Sequence, residues 1–143
     1  MLSENHSNIL NFKNLRINIL FFLCFVLVLL PSNVIAKLNL EIAKSKATKV
    51  VMMLDIVAKE YALGIQNGTI INATEFEESQ IFLNQAQERY GTIIDTMPNP
   101  EKAMELKTRL QVLSGNIKEK MDPVEVKITI NALQTQLLKE LGI

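Results

Sequence analysis

Two proline-marked breaks, Pro98-Asn99-Pro100 and Asp122-Pro123, cut the second half of this 143-residue chain into pieces that are each one helix long. Proline removes an amide donor and restricts the residue before it, so no helix runs through either break. After the first, Ala103, Leu106, Leu110, Leu113, Ile117 and Met121 recur at alternating spacings of three and four. After the second, Val126, Ile130, Leu133, Leu137 and Leu141 continue the same pattern, and Val124, Ile128 and Leu138 widen the apolar face. Aspartate can cap a helix and proline loses nothing at its first position, so Asp122-Pro123 opens a helix rather than ending the fold. A connection of one or two residues forces the two helices, about 101–121 and 124–141, to fold back as a hairpin.

The first half reads the same way. Between Glu41 and Leu63, Ala43, Ala47, Val50, Val51, Leu54, Val57, Ala58 and Tyr61 lie at helical spacing with no Gly or Pro, predicting a helix over about 41–63. Gly64 and Gln66-Asn67-Gly68 tolerate left-handed backbone, which predicts a turn, with Thr69-Ile70-Ile71 as a short extended connector. Asn72 or Thr74 can cap the next helix, and Thr74 with Glu77 has capping-box spacing. That helix is predicted over about 74–90, with Phe76, Leu83, Ala86 and Tyr90 on one side and Phe82 beside them. Gly91 weakens it, and Thr92 to Met97 continues it raggedly. The β-branched Ile70-Ile71 and Ile128-Thr129-Ile130 are too short, or too well flanked by helical pattern, to make strands. Four amphipathic helices with short connections predict an all-α, four-helix up-down bundle.

Ahead of the bundle, Lys13 and Arg16 precede an apolar run from Ile17 to Leu30, broken only by Asn18 and Cys24. At about 14 residues the run is shorter than the roughly 20 that span a bilayer and fits a secretory signal. Val34-Ile35-Ala36 predicts cleavage near Ala36, before Lys37, giving a periplasmic protein; the alternative is an inner-membrane anchor formed by residues 17–30. The expected organisation is thus a leader over 1–36 and one domain over 37–143. Phe22 and Leu23 stand before Cys24 where a lipoprotein signal needs small residues.

The chain's single cysteine, Cys24, and single histidine, His6, both lie in that leader. The domain of 37–143 therefore has no catalytic triad, no His-ligated haem, no Cys/His zinc site and no Glu-x-x-His di-iron pair. Lys13, Arg16 and Glu4 also belong to the leader, leaving 13 basic and 14 acidic residues with interspersed signs. No nucleic-acid patch is visible. With no nucleophile-base pair or cofactor motif, nothing in the residues indicates an enzyme or a small-molecule substrate.

The order Asp55, Glu60-Tyr61, Gly68 and Glu75-Phe76-x-Glu78, running on to Phe82, resembles the soluble N-terminal periplasmic helical region of the bacterial high-affinity iron permease family, the ferrous/ferric iron transporters. A second stretch, Asn116 to Val126, is similar to that family's second helical hairpin. The resemblance spans about 90 residues and implies an exported helical accessory domain that binds or hands over iron. Its implied partner is an iron permease or cytochrome subunit at the inner membrane. The family's Cys-x-x-Cys-His haem site, permease helices and Arg-Glu-x-x-Glu motif have no counterpart here, so transport by this polypeptide alone is not expected. The other readings are a structural module that docks on such subunits without touching metal, and a truncated permease remnant.

Ferric iron is a hard cation that prefers oxygen, and without His or Cys only Asp, Glu, Tyr and backbone groups can supply it. Glu75 and Glu78 fall on one side of the second helix, flanking its apolar stripe, and are the first candidates. Asp55 and Glu60 lie on opposite margins of the first helix, so only one can join them; Asp55 is favoured, although Lys59 four residues on can simply pair with it. The plain structural account is that Glu75, Glu77 and Glu78 stabilise the positive end of the helix, by roughly 0.3–1 kcal/mol each when exposed. Tyr61, Tyr90 and the Met52-Met53 pair read as core.

Overall fold

The computed structural model describes residues 32–143. It divides into two compact units between Lys37 and Leu38, and the bundle belongs to the second, Leu38–Ile143. Helix α1 (Ser32–Gly64) leads into a two-stranded antiparallel ladder, β1 (Ile65–Gln66) with β2 (Thr69–Ile70). Helix α2 (Ala73–Gly91), a 3-10 turn (Ile94–Thr96), α3 (Pro100–Lys118) and α4 (Pro123–Leu141) complete the order. The all-α four-helix bundle expected from the spacing is the architecture found. The leader expected over 1–36 falls almost wholly outside the described residues, and residues 32–36 are the opening of α1.

Cross-links between side chains and backbone give the packing order. The Lys46 ammonium donates to the Thr92 hydroxyl between the start of α1 and the end of α2. Gln87 donates to the Leu110 carbonyl and Tyr90 to the Ala103 carbonyl, at 2.8 Å each, so α2 and α3 run antiparallel. Arg109 bonds Gln136 across α3 and α4. Gln134 closes the ring, its amide donating to the Val51 carbonyl at 3.0 Å and to Asp55 Oδ1 at 2.7 Å. Each helix therefore lies antiparallel to its sequence neighbour, and α4 returns against α1.

The apolar periodicity chooses what is inside. Ala43, Ala47, Val50, Leu54, Val57 and Tyr61 of α1 are buried, as are Leu83, Ala86 and Tyr90 of α2. The α3 and α4 stripes follow the expected register, except that Met121 lies beyond the helix and is exposed, and that Val124 and Ile128, expected to widen the α4 face, point to solvent. Ser79 completes the α2 stripe where a larger residue would push the helix outward, and its hydroxyl is satisfied by the Phe76 carbonyl at 2.7 Å.

Several local expectations are corrected. The first helix starts at Ser32, nine residues ahead of the predicted 41, because nothing after Pro31 breaks it. Helix α3 ends at Lys118 rather than 121: Lys120 turns left-handed at φ 57°, freeing the Met121 carbonyl to accept from Tyr61 at 2.6 Å. The connector after Gly64 is a tight hairpin. Asn67 and Gly68 both take positive φ, 50° and 71°, as a primed two-residue turn requires. Asn72, not Thr74, caps α2, accepting from the Thr74 and Glu75 amides, and no capping box forms.

Leu113 is fully buried whereas its neighbour Val112 is 55% exposed. Leu113→Ala should cost about 2–5 kcal/mol through lost burial and a residual cavity, and Val112→Ala no more than about 0.5 kcal/mol. Urea denaturation of the two variants checks this; comparable losses would contradict the packing.

Candidate metal centre

The site is made where α1 ends and α2 begins. A Cβ built on Gly64 would stand 2.7 Å from the Phe76 nitrogen and 2.8 Å from its Cα, closer than any side chain permits. Glycine here serves close approach of two backbones, not left-handed turning, since its φ is ordinary. The Gly64 carbonyl accepts from the Ile71 and Asn72 amides at 2.9 and 3.3 Å, closing the hairpin directly onto the α1 end. The first turn of α2 is thereby pressed against the last turns of α1. Phe76 stacks on Tyr61 in a tilted arrangement with ring centroids 6.2 Å apart.

Glu60 lies one helical turn before Gly64 and so on the same face of α1. Its carboxylate meets those of Glu75 and Glu78, and one oxygen from each lies within 4.8 Å of the other two. The three differ in exposure: Glu60 is buried at 8%, Glu75 is half-buried and Glu78 is open to solvent. The cluster thus grades from a buried carboxylate to one in water.

Two carboxylates this close hold a proton between them at low pH. The hydrogen bond with Glu75, aided by the ammonium of Lys59, holds Glu60 below its ordinary value. The same bond with Glu60 pushes Glu75 up, with partial burial and the charges of Glu60 and Glu78 adding to it. Lys59 Nζ sits 3.1 Å from Glu60 Oε1 but is largely exposed, so it screens the cluster from the rim rather than filling it. In chemical terms the three side chains offer oxygen donors from two helices.

Glu75 and Glu78, the first two candidates from the sequence, are brought together. Asp55, the favoured third, is not: it is on the exposed surface toward α4, where its carboxylate accepts from the Gln134 amide. Glu60 occupies the position for which Asp55 was preferred. The two lie on opposite margins of one helix, and only the packing of α2 selects the margin. Gly64, four residues after Glu60, selects the margin, but in the sequence a glycine at a helix end reads as a turn former, and its steric role appears only with α2 in place. Tyr61 is core: its hydroxyl donates to Met121, and burial, with the nearby Asp122 charge, pushes it up to about 12. Glu77 faces solvent.

Residues 39–143 match the family model described as an iron permease-associated 4-helix bundle domain. No curated protein and no solved structure matches the chain.

Gly64→Ala must move the start of α2 away from α1, because the atoms it meets are backbone and cannot rotate aside. The expected loss is about 1–3 kcal/mol, as for other overpacked contacts, together with wider separation of Glu60 from Glu75. Thermal denaturation, and carboxyl titration followed by NMR, would show both. Unchanged stability with the Glu75 titration still raised would contradict the close approach.

Proposed function

The chain belongs to the family of iron permease-associated four-helix bundle domains, and from that premise we propose that it binds iron as cargo at Glu60, Glu75 and Glu78 and passes it to a permease. The observation that carries this reading is the convergence of three carboxylates from two helices on one point. Carboxylate oxygens suit a hard cation, and a tri-anionic cluster compensates its charge without His or Cys. Glu60 supplies the anchored ligand, since its position on α1 is fixed by the packing around Tyr61 and Gly64. Glu78 supplies the mobile one, open to water and able to exchange. A site so shallow suits uptake and release rather than permanent retention.

The site sits on a domain whose family ties it to a membrane permease, which supports a periplasmic or membrane-linked location. Among the described residues no helix is long and apolar enough to cross a membrane. In this reading the domain binds iron and a permease carries it across the bilayer.

Protons and iron compete for the Glu75 carboxylate. Glu75 titrates above the ordinary carboxylate value of 4.5, so protons compete with iron below that raised value and cease to compete above it. Affinity should therefore climb as pH rises through the Glu75 titration and then level off. Calorimetric titration with ferrous and ferric iron, in buffers of different protonation enthalpy, should show proton release on the rising part of the curve. Affinity that stays flat between about pH 4 and 7 would contradict a shared proton at the binding site.

Glu60→Gln and Glu75→Gln should each weaken iron binding at least about tenfold, the scale of losing one charge-assisted contact. Asp55→Asn should leave it unchanged. Loss in Asp55→Asn with retention in Glu60→Gln would place the metal elsewhere.

A further inference from the structure

At the opposite end of the α1 and α2 pair lies a groove of about 410 Å³, lined by Lys46, Met53, Gln85, Glu88, Arg89 and Thr92. Lys46 and Met53 are two turns apart on α1, and Gln85, Arg89 and Thr92 follow one another at one-turn spacing along α2. The groove therefore runs along the seam of the two helices, with Lys46 and Thr92 bonded across it at 3.3 Å. Among the described residues, neither Lys46 nor Arg89 has a carboxylate within ion-pair distance, although Glu88 lines the same groove.

Arg89 is the exceptional group. Its Nε is shut off from solvent and has no hydrogen-bond partner, alone among buried side-chain nitrogens and oxygens of the described residues. A buried donor left unpaired is destabilising, whereas water or an acceptor would ordinarily satisfy it. The guanidinium is a permanently charged planar fork that matches two oxygens of one group. Lys46 adds a second fixed charge across the seam, while the Thr92 hydroxyl and the Gln85 amide add neutral donors.

We infer that this groove is an anion site, separate from the carboxylate cluster, that takes a small polyvalent oxyanion such as a phosphate or a tricarboxylate through Arg89 and Lys46. Met53 adds an apolar element to the lining. Glu88 opposes binding and tunes it to be weak and reversible.

The test is titration of the full-length protein with inorganic phosphate and, separately, citrate, at constant ionic strength, followed by backbone amide shifts in NMR. The expected result is saturable binding with shifts at Gln85, Arg89 and Thr92. Arg89→Gln and Lys46→Gln should each weaken it about tenfold, Glu88→Gln should tighten it, and Glu60→Gln should leave it unchanged. Lys46→Gln keeps the test decisive if Arg89→Gln disturbs folding, because the Lys46 ammonium only bridges at the surface. A third arm uses phosphatidylglycerol vesicles, which present the same phosphate chemistry as a lipid headgroup. Binding to the vesicles alone, no saturation by either free anion at roughly tens of millimolar, or equal affinity in Lys46→Gln would overturn the inference.

Discussion

The contact on which the rest of this structure depends is the backbone approach of Gly64 to Phe76. At that distance no Cβ can stand between α1 and α2, so a single hydrogen atom in place of a side chain decides how closely the two helices begin. The hairpin that follows is short because it has little distance to cover: two residues of left-handed backbone at Asn67-Gly68 reverse the chain. The amides leaving β2 then return to the Gly64 carbonyl itself. Acidic side chains from two separate segments converge as a result of this geometry, against their own mutual repulsion.

Two tyrosines extend the same logic to the other end of each connection. Tyr61 pins the α3–α4 turn through the Met121 carbonyl, and Tyr90 pins the start of α3 through the Ala103 carbonyl. Both rings fill the core while each buried hydroxyl finds a backbone carbonyl to donate to. The bundle thus holds its loops with buried phenols rather than with disulfides, consistent with a domain that carries no cysteine after Cys24. Gln134 does for α4 what the tyrosines do for the turns, tying it to Val51 and Asp55 of α1.

The two polar regions of the α1–α2 pair differ in their dominant charge. Near the hairpin, three carboxylates converge within 4.8 Å of one another; along the seam toward Thr92, two cations line a groove. Helix polarity adds to the contrast, since the acidic residues sit at the positive start of α2 and Arg89 at its negative end. A dipole-stabilising account covers Glu75 and Arg89 as individual residues. It does not account for Glu60, which belongs to a different helix, is buried, and still points its charge into the same cluster.

By itself the sequence determined the four helices, their apolar faces and the breaks between them. Those properties are local: proline, glycine and a three-and-four spacing act within a few residues of one another. It also singled out Glu75 and Glu78, because both lie in one turn of one helix, and the resemblance to iron permease-associated domains covered the stretch that holds them. Only the tertiary structure decided that Glu60 and not Asp55 joins them. The choice depends on which margin of α1 meets α2, a rotation of one helix against another that no pattern within α1 encodes. It was settled by a glycine whose role was steric, not conformational, and which shows its meaning only once the second backbone is in place.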